Sequence, residues 1–139
     1  MEDAEKKRRA IRMAAFPLQV ILALLLGGFS AFVGWNKAFA PLEILREHSA
    51  WTIHLPVLLG RLVGWLEVAS VAVLLASLPF ARFARFGMWA AIWITLNHMA
   101  AALVHVFHGE WSSLPANGIY LAMCFILVAL TWYRTRASN

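Results

Sequence analysis

Charge is what this chain has least of. Only 14% of its 139 residues are Asp, Glu, Lys or Arg, while 62% are hydrophobic. A soluble domain carries roughly 25% charged residues, and seven acids with twelve bases cannot clothe a water-facing surface. A soluble enzyme is excluded, and so is a disordered chain, which would need few apolar residues. Cysteine is nearly absent too. The single Cys124 cannot form an internal disulfide, so a dithiol relay within the chain is excluded and a small packing residue is expected. Period-two alternation is missing, which argues against strands. The net charge of +5 lacks the basic stripes of a nucleic-acid binder.

What is present is long apolar runs. Between Arg12 and Lys37 lie 24 residues without Asp, Glu, Lys or Arg; between Arg85 and Glu110 lie 24, and between Glu110 and Arg134 lie 23. Roughly 20 residues at 1.5 Å each cross a hydrocarbon core. A fourth run, from Leu55 to Phe80, is interrupted only by Arg61 and Glu67. The expectation is an all-α, four-helix integral membrane bundle with spans near 14–36, 55–79, 86–108 and 114–133. A basic tail over 1–13, whose first ten residues read as frayed, and a short tail over 134–139 flank this domain of residues 14–133.

Lys and Arg distribute nine to one side of these spans (Lys6, Lys7, Arg8, Arg9, Arg12, Arg82, Arg85, Arg134, Arg136) and two, Lys37 and Arg46, to the other. By the positive-inside rule both termini are expected in the cytoplasm and the chain in the inner (plasma) membrane. Ala38-Phe39-Ala40 has the form of a signal-peptidase site, but Lys37 and Pro41 flank it badly, so no cleaved signal peptide is expected. Pro41, Glu43 and the Leu42/Leu45 pair predict a short helix over about 41–48 on the outer surface. Trp51 and Trp111 are expected as interfacial anchors.

Ionisable side chains inside a bilayer are expensive and are functional candidates by default. Glu67 shares a helical face with Gly60 and Gly64 and should point into the bundle, where small residues let helices approach. His98 and His105 are seven residues apart on the third span, with His108 one turn further out. Depth counting puts His98 near Glu67, predicting a hydrogen bond between them, direct or through a water, within a polar track that includes Thr95 and Asn97. Arg61 either snorkels to the head groups or holds a ligand at the outer mouth. His48, His54, His105, His108 and Glu110 fall near the outer end. No second histidine pair stands at matching depth, however, and neither metal nor haem is expected.

Gly34-Trp35-Asn36-Lys37 closes the first span as G-x-x-K. Trp51-Thr52-Ile53-His54-Leu55-Pro56 enters the second, Gly64-Trp65-Leu66-Glu67 forms G-x-x-E, and Ala101-Ala102-Leu103-Val104-His105 forms A-x-x-x-H. In this order over residues 14–133 the chain resembles the DoxX-like membrane proteins, relatives of the DoxX/DoxD membrane subunit of thiosulfate:quinone oxidoreductase. The resemblance implies a four-helix bundle with Lys37, Glu67 and His105 at family positions; His98, His108 and Arg61 rest on the physical reading alone. The functional expectation is a membrane subunit of a redox system, part of a quinone-linked oxidoreductase, that interacts with a quinone or another lipid-soluble small molecule and relays protons, with Glu67, His98 and His105 as catalytic candidates and Lys37, Arg61 and His108 as cofactor-binding candidates. A quinone is the expected cofactor, and lipid and a redox partner protein or larger complex are the expected partners. The alternative is a non-catalytic anchor or assembly subunit.

Overall fold

A computed structural model describes residues 2–137, with side chains over 14–136 and at Lys6. The expected basic side chains of Lys7, Arg8, Arg9 and Arg12 lie outside these. Among the described residues five α-helices follow in order: α1 (Glu2–Phe39), α2 (Leu42–Glu47), α3 (Val57–Ala76), α4 (Ala84–Phe107) and α5 (Leu114–Ala137). Single 3-10 turns at Trp51–His54, Ala81–Phe83 and Trp111–Ser113 join them, and no strand occurs among the described residues. The segment expected to fray is helical from Glu2.

The long helices form a closed ring in which α1 touches α3 and α5, and α4 touches α3 and α5. Four of them contain stretches long and apolar enough to cross a membrane: Ala14–Phe39, Val57–Ala76, Ala81–Phe107 and Trp111–Arg136. Burial is inverted relative to a soluble bundle. Phe107, Leu58 and Phe32 are more than two-thirds exposed, whereas Gln19, Ser30, Glu67, Thr95 and Thr131 are buried. In lipid the apolar exterior costs nothing, and polar groups gain by turning inward. Cys124 packs in the apolar half of the core with Leu22, Leu26, Leu74 and Ile94.

Two glycines set the close crossing of α1 and α3. A Cβ on Gly64 would stand 2.6 Å from both Gly34 O and Ala38 N, and one on Gly34 would stand 3.0 Å from Gly64 O. Only hydrogen at both positions lets the α1 and α3 backbones meet. That contact puts Ala38 level with Gly64, seven residues or about 10 Å inside the start of α3. The end of α1 is therefore sunk below the end of α3, and the segment after it folds across the gap. There Pro41 caps α2, and the chain leaves α2 through Ser49 in the left-handed region at φ 49°. Ser49 N–H bonds Arg46 O and Ala50 N–H bonds Leu45 O, the paired bonds of a Schellman ending. Leu45, Trp51 and Thr52 are buried beneath this lid. Trp51 thus departs from its expected interfacial role, because the lid turns it inward; Trp111 remains exposed.

Candidate functional site

The sunken end of α1 brings Lys37 against Glu67. Lys37 Nζ donates to Glu67 Oε2 at 2.7 Å, with the side chains 3% and 0% exposed. The geometry explains the two tetrapeptides noted in the sequence. In each, a glycine three residues before the charged residue removes the Cβ that would hold the helices apart, and the charges then meet one turn further on. Lys37 Nζ also lies 5.5 Å from the centre of the Trp51 ring, within cation–π range. Glu67 Oε1 is buried without a partner.

The direct form of the expected hydrogen bond between Glu67 and His98 is not made. α3 and α4 are neighbours and both side chains are buried, but Lys37 takes the carboxylate. His98 turns its Nδ1 to Ile94 O at 3.0 Å and stacks its ring on Tyr120 at 4.1 Å between centroids. The polar track is likewise spent within α4, where Thr95 Oγ1 donates to Ala91 O, while Asn97 Nδ2 is buried without a partner.

Lys37, His98 and His105 line one cavity of about 430 Å³ between α1, α4 and α5, roofed by residues 44–51. Its walls include Phe29, Phe32 and Trp51, with Asn36 and Asn117 as further polar groups. Phe32 and Ala116 on its rim are exposed at the apolar surface. One turn toward the terminal end, Tyr120 ties α5 to α1. Its hydroxyl donates to Leu26 O at 2.7 Å, which leaves Ser30 Oγ to donate to it at 2.6 Å.

Arg61 and His108 stand outside this cavity. Arg61 Nη1 donates to Lys37 O at 2.8 Å, satisfying a carbonyl of the last turn of α1, where a cation is favourable. It does not line the cavity, and instead borders a smaller void of about 50 Å³ shared with Arg46 and Thr52. His108 donates Nδ1–H to Val104 O and stacks on His54 with centroids 3.5 Å apart.

Beside that stack lies a chain not anticipated from the sequence. α4 ends with Gly109 at φ 70°; Gly109 N–H bonds Val106 O and Glu110 N–H bonds His105 O. This second Schellman ending sets Glu110 next to His105 by local geometry alone, where an apolar contact is usual. His105 Nδ1 meets Glu110 Oε2 in a short hydrogen bond, and His54 Nε2 lies 3.3 Å from Oε1. Foremost the His105 bond, then that of His54, holds the Glu110 carboxyl below the usual carboxylate range against the opposing effect of its partial burial. The carboxylate accepts and both rings donate. Among the described residues no three His, Cys, Asp or Glu side chains are arranged to hold a metal ion, and His48 stays apart on the cavity rim. Trp51, Tyr120 and Asn117 are the site residues that sequence reasoning missed. Their only signal is a polar atom placed near an apolar span.

A model of the DoxX-like family matches residues 21–127, a stretch that holds every residue of the cavity and of the histidine chain. No curated protein and no solved structure matches this chain.

Proposed function

The chain belongs to the DoxX-like family and is an integral membrane protein, and from that premise we propose that it is a membrane subunit of a redox system whose cavity takes a quinone or a similar lipid-soluble molecule. The cavity itself is the observation that carries this reading. About 430 Å³ lies within the usual range for small-molecule sites, which are apolar with a few placed polar groups. The rim at Phe32 and Ala116 faces the lipid side, so a molecule dissolved in the bilayer enters laterally.

The residues present fit a quinone. Phe29 and Trp51 offer apolar walls, and Lys37, His105 and Asn117 offer donors to carbonyl oxygens. A bound quinone supplies two-electron, two-proton chemistry. For its part the chain orients the ring, Glu67 holds Lys37 in place as a donor, and His105 exchanges a proton with the cavity. Because the Lys37–Glu67 pair is neutral overall, it favours an uncharged ligand over an anion. The sequence carries no pattern for a redox centre, so electrons come from a partner protein or larger membrane complex. The nine-to-two distribution of Lys and Arg supports cytoplasmic termini in an inner membrane. A C-terminal tag should then be digested in inverted vesicles and protected in spheroplasts.

One observation favours a second reading, a non-catalytic anchor. The most costly polar groups, Lys37 and Glu67, are sequestered and hold α1 to α3, as a purely structural device would. Intact-mass measurement of the native complex, with extraction of its bound lipids, separates the two. The quinone reading expects about one quinone per chain, reduced about fivefold or more by Ala101→Phe, which fills the cavity. Quinone no more abundant than in the surrounding bilayer overturns it and leaves the anchor.

A further inference from the structure

The interhelical cavity needs a way to exchange protons with water, and most of its titratable groups are tied up. Lys37 is paired with Glu67, which is fully buried and has no hydrogen bond beyond that pair. His98 spends Nδ1 on a helix carbonyl and its ring face on Tyr120. His105 differs. It lines the cavity, is buried, and holds Glu110 through Nδ1. Glu110 in turn is about a quarter exposed and holds His54, whose side chain is about a fifth exposed.

We infer that His105 and Glu110 form the route by which protons pass between the cavity and water at the α2 end of the bundle, with His54 as a positioning residue. A proton taken up at Nε2 of neutral His105 makes an imidazolium, which gives its Nδ1 proton to Oε2 of Glu110. The neutral carboxyl then releases that proton to water. The ring is left with Nε2–H, and a flip of the imidazole turns that N–H toward Glu110 and the bare Nδ1 toward the cavity to take the next proton; uptake toward a ligand runs the same steps backward. His54 holds the second carboxylate oxygen, and the stack on His108 fixes its ring. The titratable groups facing Glu110 are His105 of α4 and His54 of the Trp51–His54 turn, with His108 behind His54. Residues 111–117 bring none. The Gly109 turn makes the arrangement local to the end of α4, independent of how the rest of the cavity is filled.

The route rests on the quinone reading only for what consumes the proton, so it is tested without any ligand. The full chain, labelled with ¹⁵N-histidine in lipid nanodiscs, reports the solvent exchange of the His105 ring proton. Glu110→Gln should slow that exchange about tenfold or more and leave the His98 signals unmoved. Glu110→Asp, with the charge kept at shorter reach, should give an intermediate rate, and His48→Phe, altering the other exposed ring on the rim, should change nothing. If Glu110→Gln disturbs the bundle, the Asp variant decides. Wild-type exchange in both Glu110 variants overturns the route, as does equal slowing by His48→Phe. Failure to find a bound quinone would remove the proposed function and leave this result standing.

Discussion

Replacing Glu67 by Gln tests whether Lys37 and Glu67 form an ion pair in the folded protein. The two side chains are buried and 2.7 Å apart, so the substitution removes a counter-charge and almost nothing else. The amide is the same size, and its oxygen can occupy the Oε2 position and still accept from Lys37. The amide nitrogen then takes the Oε1 position, which already lacks a partner, so no existing bond is lost there. What remains is an uncompensated ammonium in a low-dielectric interior, and breaking a buried pair in this way costs about 3–5 kcal/mol. Lys37→Met should cost a similar amount for the opposite reason. The double variant Lys37→Met/Glu67→Gln should cost less than either single change, because replacing a whole buried pair, here one with an unsatisfied oxygen, is often near neutral. Equilibrium unfolding in mixed SDS and mild detergent, followed by tryptophan fluorescence, measures all three as a double-mutant cycle. A Glu67→Gln cost under about 1 kcal/mol, or a double cost equal to the sum of the singles, would refute the ion pair.

Gly64→Ala should be destabilising by at least about 1–3 kcal/mol, since its Cβ meets backbone atoms at 2.6 Å. Gly28→Ala, with nothing within 4 Å of its Cβ, should stabilise by about 0.5–1 kcal/mol, and the same unfolding assay compares them. Tyr120→Phe removes the bonds to Leu26 O and Ser30 Oγ and should cost about 1–3 kcal/mol at roughly 1 kcal/mol per bond; an unchanged midpoint would count against the tie between α1 and α5. The lowered Glu110 pKa means that this carboxylate stabilises the fold above the ordinary carboxylate pKa of about 4.3, and that its contribution is lost as pH falls through the lower folded value. Wild type and Glu110→Gln should therefore differ in melting temperature at pH 6 and converge in strong acid. A constant difference across that range would contradict the assigned charge.

The spans were legible because each apolar run is bounded by charged residues, and α3, α4 and α5 begin within two residues of expectation. Glu67 was legible as an inward-facing carboxyl because it shares a face with two glycines. Its partner was not. Lys37 reads as a loop charge until the segment over residues 40–56 is seen to close over it, and nothing local in the sequence specifies that long-range contact. Trp51 was misplaced for the same reason. No direct Glu67–His98 bond forms because Lys37 Nζ occupies Oε2 and His98 Nδ1 is spent on Ile94 O. The His105–Glu110 pair was within reach of sequence reasoning, since Gly109 is a plain helix-stop signal whose paired bonds bring the flanking residues together.

The Lys37–Glu67 pair has a consequence for biosynthesis. Ribosomes deliver α1 first, and thirty residues pass between Lys37 and Glu67. Until α3 enters the membrane, Lys37 has no counter-charge, and an ammonium is held back at the lipid interface, where water still reaches it. The end of α1 can sink to its final depth only when the carboxylate arrives. Insertion of the first helix is thus completed by the third.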